Sequence, residues 1–257
     1  GYNANTTQAL TSKGATAILW LDNNSRISLS NNDAGANNTV FGKLAGDDLA
    51  SGGDENVFIG ENAGHENSAG DGNVAIGYNS YYRGSTLANE GNVFVGKVAG
   101  GGDWTGTASS ANTAIGAGSM NGAMDNAQNN TAVGNSSLAA LTTGSNNVAI
   151  GKSAGDSLTT AEQNVIIGAG AADDETTLRR AVIIGYNALS NTTVQNNGDN
   201  VLIGHAVGSG EWQTATSDGN VGIGSGVMTG NMNNADYNVA IGYKAGRVIT
   251  TGDYNVA

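Results

Sequence analysis

A five-residue phrase, Asn-(Val/Thr)-apolar-(Ile/Val/Phe)-Gly, returns along the chain and leaves few folds open to it. It begins at Asn38, Asn56, Asn73, Asn92, Asn112, Asn130, Asn147, Asn164, Ala181, Asn200, Asn220 and Asn238, and a further copy opens at Asn255. Successive starts lie 17 to 20 residues apart. Self-similarity at a near-fixed period marks a stack of like units, none able to bury its apolar face alone. β-branched residues dominate the second and fourth positions, which favours strand over helix. A unit this short also has no room for two helices and a turn. The chain is expected to be all-β, a parallel β-solenoid of 17–20-residue rungs.

Composition agrees with an evenly filled stack rather than a deep globular core. Of 257 residues, 41 are glycine, none is proline or cysteine, and aromatics make up 5%. A net charge of −12 works against binding nucleic acid, whose phosphates need Lys and Arg, and against anionic membrane surfaces. No apolar run of about 18 residues is present, so no membrane insertion is expected. Without cysteine there are neither disulfides nor thiolate metal sites.

Side chains alternate along a strand, so the second and fourth positions of the phrase share one side and the third takes the other. The third position reads Val40, Phe58, Ala75, Phe94, Ala114, Ala132, Ala149, Ile166, Ile183, Leu202, Gly222 and Ala240. It is never polar, and a strand apolar on both faces is covered on both. With the second and fourth positions taken as the interior, the six large third-position residues Val40, Phe58, Phe94, Ile166, Ile183 and Leu202 would form an outward stripe. Burying each contributes roughly 1.5–3 kcal/mol, about 9–18 kcal/mol per chain. These six are therefore the expected interface of an intimate parallel homotrimer, with cover by loops of the same chain as the competing reading. The closing glycine fits a turn of positive φ or a close approach to the next rung. The leading Asn suits a left-handed corner, or hydrogen bonds up and down the stack.

A longer period lies behind the short one. At an offset of 108 residues, 56–146 matches 164–254 at 33 of 91 positions, pairing Trp104 with Trp212, Met120 with Met228 and Met124 with Met232. The expected organisation is an N-terminal cap or the end of a preceding module at 1–37, six-rung units at 38–146 and 147–254, and the start of a further rung at 255–257. Within the cap, Ala17–Ser30 reads as two strands around Asp22-Asn-Asn-Ser.

The phrases Asn73-Val-Ala-Ile-Gly-Tyr-Asn, Gly185-Tyr-Asn-Ala-Leu-Ser-Asn-Thr-Thr and Asn238-Val-Ala-Ile-Gly-Tyr-Lys-Ala-Gly resemble repeats of phage tail-fibre proteins, arrays of the kind found upstream of endosialidase-type intramolecular chaperones. The stretch Trp20-Leu-Asp-Asn-Asn-Ser-Arg-Ile-Ser-Leu-Ser is similar to segments leading into such arrays. The phrase also resembles the head repeats of trimeric autotransporter adhesins, whose repeats are shorter. The resemblance covers about 220 of the 257 residues. It implies a homotrimeric fibre, carried on the virion or, as the alternative, on a bacterial surface, with a host cell-surface glycan or protein as partner.

Catalysis finds little support in the sequence, and no enzyme and no cofactor is expected. His65 and His205 occupy different rung positions and read as solvated corner residues. A polysaccharide-degrading tailspike, the alternative from another class, would need carboxylates converging on one groove, and no repeated set of that kind is visible. The acidic pairs Asp47-Asp48 and Asp173-Asp174 lack the nonapeptide pattern of calcium-binding β-rolls. For ligand binding, the 20-residue rungs carry Asp103-Trp104 and Glu211-Trp212, where an indole could stack on a sugar beside a carboxylate. Trp folding back over its own rung is the competing reading. The Tyr81-Tyr82-Arg83 loop is a similar candidate. Thr-Thr pairs, such as Thr142-Thr143 and Thr159-Thr160, read as β-branched corners rather than an ice-binding face.

Overall fold

The structure, a computed structural model, describes residues 9–11, 17–20, 25–28, 35–49, 52–84, 87–104, 106–191, 197–212 and 216–257. The phrase forms the strands. β4 (Thr39–Lys43) carries the first copy, and β5 (Val57–Ile59) to β15 (Val239–Ile241) are three-residue strands on the later ones. Each pairs in parallel with the next in sequence, so the chain advances one rung per repeat. Register is held position on position: Val57 faces Val74, Phe58 faces Ala75 and Ile59 faces Ile76. The molecule is a parallel β-solenoid.

Ahead of the stack lie β1 (Ala9–Thr11), β2 (Ala17–Trp20) and β3 (Ser25–Ser28). β1 and β2 form an antiparallel pair. β3 runs antiparallel along β4 as the first strand of the thirteen-stranded sheet and covers the edge of the parallel strands β4–β15, a position that would otherwise present unpaired strand edge. The expected strands of 17–30 are present, but they pair with other partners than each other. Most of the turn between them lies outside the described residues.

The facing of the strand differs from expectation. The third position points into the solenoid: Phe58, Phe94, Ile166, Ile183 and Leu202 are fully buried within their own chain, and Val40 nearly so. These residues are therefore core rather than an interface between chains. The second and fourth positions form the outer face, half-buried in most rungs and more open at Phe41, Ile115, Ile150, Ile223 and Ile241. The reason is volume. In the interior of several rungs a large group from the strand is met by a small residue in the turn beneath it, or the reverse, although Ile183 and Leu189 are both large and both fully buried in one rung. The third position shares that space with the residue four beyond the phrase glycine. Phe58 pairs with Gly64 and Phe94 with Gly100, whereas Ala75 pairs with Tyr81, Ala114 with Met120 and Ala132 with Leu138. Leu202 with Gly208 and Gly222 with Met228 continue the exchange in the second unit.

Both expected roles of the phrase glycine are realised. Gly60 has φ +132°, and a Cβ there would lie 2.5 Å from the carbonyl oxygen of Gly77 in the next rung. The leading Asn, in contrast, is not the left-handed residue. That conformation falls one position earlier, at Asn37, Glu55, Asn129, Asn146 and Gln163 among others, and it frees the Asn side chain for a buried ladder. Asn112 Oδ1 accepts the backbone N–H of Asn130 at 3.0 Å, while its Nδ2 donates to the carbonyl of Ala127 at 2.8 Å. Equivalent bonds link Asn38 to Asn56 and Gly53, and Asn56 to Asn73 and Gly70. Each Asn thus satisfies one buried donor and one buried acceptor of the corner. Ala181 joins the ladder by donating its own N–H to Asn164 Oδ1 at 3.0 Å, but it has no side-chain amide to pass the chain of bonds onward.

Candidate recognition surface

The long rungs place their indoles inside. Trp104 and Trp212 are 1% and 0% exposed, so neither can stack on a sugar from solvent. Trp104 completes an aromatic cluster with Phe58, Tyr81 and Phe94: its ring lies 5.0 Å from Tyr81 and 5.4 Å from Phe94, both edge-on. Such tilted arrangements suit the quadrupoles of the rings. Tyr81 is also fully buried, its hydroxyl 3.3 Å from Asn67 Oδ1, and burial pushes its phenol above the ordinary value against the opposing hydrogen bond from Asn89. In the second unit the positions of Phe58, Tyr81 and Phe94 are held by Ile166, Leu189 and Leu202, while Trp212 keeps its place. Replacing three rings with aliphatic groups preserves the filling, so the repeated Trp marks core geometry.

The carboxylates beside the indoles remain at the surface. Asp103 is ion-paired with Arg83, and the backbone N–H of Glu211 donates to Asn231 Oδ1 at 3.2 Å. Tyr82 is half-buried, its ring 5.2 Å from that of His65 and 5.7 Å from the Arg83 guanidinium. The structure therefore separates the residues proposed to act together: Trp104, Trp212 and Tyr81 lie within the solenoid, and Asp103, Glu211 and Tyr82 lie outside it.

Surface acids two places before the leading Asn work as backbone acceptors. Asp71 takes the N–H of Asp54, Asp236 that of Asp218 and Asp253 that of Asp236, each at 2.8 Å. Asp199 makes a two-pronged pair with Arg180 at 2.7 Å, which holds its carboxyl below the ordinary value. In the Thr-Thr corners the first hydroxyl donates to the next rung, Thr142 to the carbonyl of Thr159 at 2.9 Å and Thr159 to that of Thr176 at 3.1 Å. These corners are bends rather than strands. Among the described residues, no group of three or more His, Cys, Asp or Glu is placed to hold a metal ion, and no helix is long and apolar enough to cross a membrane.

What remains exposed is organised in columns by the register. The first is the outer face of the sheet, Val or Thr alternating with Ile, Val or Phe through β4–β15. The second follows the phrase glycine, where Tyr78, Tyr186 and Tyr243 are open to solvent. Tyr186 stacks on His205 of the next rung at 5.7 Å and 14°. Beside this pair lies a hollow of about 230 Å³ lined by Lys152, Ser153, Ala169, Gly170, Asp173, Tyr186 and Asn187. A larger one of about 610 Å³ lies over the last turn, between Lys244 and Ala257. Neither hollow is evident from sequence, because each depends on which side chains of successive rungs fall in one column.

Fold and surface together define a class, the parallel β-solenoid repeat protein, in which rungs are interchangeable scaffold and individuality lies in surface columns. Comparison with family models, with curated proteins and with solved structures gave no match to this chain.

Proposed function

We propose that this chain is part of the shaft of a phage tail fibre, a structural protein that forms a homotrimer and serves attachment to the host surface. One observation carries the reading: the outer face of the sheet is apolar in rung after rung. Pairs such as Val57 and Ile59, Val148 and Ile150, and Val182 and Ile184 stand outward with no charged residue among them. Strands about 4.8 Å apart and three residues wide give this face an extent of roughly 550 Å². That is at the upper end of the apolar patches tolerated on monomers. With side-chain relief added, it approaches the roughly 800 Å² that a stable interface takes from each partner.

A second copy is the partner that fits, because only a surface with the same rung spacing can seat every Ile and Val in turn. Identical chains arranged side by side around one axis satisfy this and leave no face open. The interface is thus assigned to the second and fourth positions. The columns after the glycine and the corner turns then remain free for contact with a host glycan or protein. The work of such a chain is reach and recognition, not catalysis: Asp71, Asp236 and Asp253 are engaged as backbone acceptors, and Asp103 and Asp199 in ion pairs.

The test is the solution mass of residues 1–257 by light scattering. Three times 25.6 kDa is expected, falling to the single-chain mass in Ile150→Lys with the circular dichroism spectrum retained. A monomeric wild-type chain would sink the reading and make the outer sheet face a surface for some other cover.

A further inference from the structure

The column that follows the phrase glycine runs Lys152, Ala169, Tyr186, His205 in four successive rungs, and the next column runs Ser153, Gly170, Asn187, Ala206. Ala169 and Gly170 are the smallest neighbours in that stretch, so the wall is missing one rung of side chains. Lys152 and Tyr186 stand two rungs apart, about 9.6 Å. One face of the Tyr186 ring is taken by His205. The residue on the other side is Ala169, and Tyr186 is 58% exposed. The floor holds Asp173, whose Oδ1 is buried and meets no donor. Burial, reinforced by Asp174 and Asp156 nearby, raises this carboxyl above its ordinary value. Its other oxygen, Oδ2, lies 3.3 Å from where a Cβ on Gly170 would stand, so it borders the gap and can accept from a ligand hydroxyl.

The first unit supplies an internal comparison. At the matching place, 108 residues earlier, Glu61 and Asn62 stand where the second unit has Ala169 and Gly170, and Tyr78 and Asn79 match Tyr186 and Asn187. There the gap is filled: Asn62 Nδ2 donates to Asn79 Oδ1 at 2.9 Å, and Glu61 pairs with Lys43 at 3.7 Å. The same scaffold is therefore closed in one copy and open in the other, and the opening is set by two residues.

We propose that this notch is a binding site for one pyranose ring, its C–H face laid on Tyr186 and its hydroxyls donating to Asp173. A sugar ring is flat enough to enter a one-rung gap, and its polarised C–H groups complement the negative face of an aromatic ring. Lys152 and the Asn187 amide supply donors for the ring and hydroxyl oxygens on the opposite side. A cation fits less well, because Lys152 lines the notch. The hollow is too small for an extended oligosaccharide, so the site takes a single residue of a longer glycan, with the chain running out over the surface. The site deepens the attachment reading and relies on it only for the source of the sugar.

Saturation-transfer difference NMR on the full chain tests the site, with the methyl pyranosides of glucose, galactose and mannose as probes at about 20 mM, above the millimolar range of a one-ring contact. Transfer to the ring C–H protons of at least one probe is expected. It should fall by about fivefold or more in Tyr186→Ala and in Asp173→Asn. The double variant Ala169→Glu/Gly170→Asn installs the filling of the first unit, including an Asn in the left-handed conformation that Asn62 already adopts at φ +56°. It should fold normally and abolish transfer, while Tyr78→Ala leaves transfer unchanged. Absence of transfer from all three probes, or transfer that survives the double variant, overturns the proposal. Neither result alters the mass read by light scattering, so failure of the site and failure of the trimer remain separate.

Discussion

A Cβ on Gly64 would lie 2.6 Å from the ring of Phe58, so the glycine is the space into which the phenylalanine packs. This relation fixes the facing of the strand, because a side chain that needs a partner inside its own rung cannot also serve a neighbouring chain. Gly64→Ala should destabilise the chain by about 2–4 kcal/mol, the sum of left-handed strain and overpacking. Gly72→Ala has similar φ, +63°, with nothing within 4 Å, and should cost only about 1 kcal/mol. Denaturant midpoints of the two variants check the difference; equal losses would remove the packing argument.

Phe58→Ser places a hydroxyl in the core and empties the ring's volume. It should cost about 3–5 kcal/mol and unfold rungs around it, whereas Ile150→Lys changes association alone. Circular dichroism and light scattering on both variants separate the two outcomes. Dissociation of a still-folded Phe58→Ser chain would return the third position to an interface.

Asn112→Ala removes the acceptor of Asn130 N–H and the donor to the Ala127 carbonyl, leaving both buried groups without partners. A loss of about 2–4 kcal/mol is expected. Asn112→Asp should not rescue it, since a carboxylate keeps the acceptor but cannot donate and carries charge into a buried site. Equilibrium unfolding in urea reads both.

Trp104→Ala should lower stability by about 3–5 kcal/mol, because it hollows the cluster formed with Tyr81 and Phe94. Binding of any glycan to the surface should be unaffected in chains that remain folded. Thermal melts and the same NMR transfer experiment provide the two readings.

Stability should rise as pH falls through the range just above the ordinary carboxylate value. Asp156, Asp173 and Asp218 have carboxyls raised above their ordinary value, first by desolvation. A raised folded-state value means that the native state binds the proton more tightly than the unfolded chain. Stability is therefore lost as pH climbs through the window above the ordinary carboxylate value. Asp199, lowered by Arg180, opposes this only below the ordinary value, where its pair is protonated. Melting temperature against pH checks the sign, and Asp156→Asn combined with Asp173→Asn should flatten the slope.

The period, the strand character of the phrase, the parallel stacking and the need for glycine were legible because each repeats in every rung and reflects backbone geometry. The facing of the strand was also written in the sequence, as the exchange of bulk between Phe58 and Gly64, Ala75 and Tyr81, Phe94 and Gly100. It becomes legible only when the third position is taken together with the residue that shares its space, because alternation along the strand by itself does not say which side faces in. The Trp residues misled for a related reason: their loops are long and their neighbours charged, yet Asp103 and Glu211 point out while Trp104 and Trp212 turn in.

The repeat by itself determined that this chain would wind into a β-solenoid, since a 17–20-residue unit of alternating β-branched residues has no other way to bury its apolar side. Only the tertiary structure decided which side that was and where an opening would remain. Both depend on residues that meet through the stacking of rungs rather than along the chain: the interior by the volumes of strand and turn in one rung, the notch by the absence of bulk at Ala169 and Gly170 between Lys152 and Tyr186.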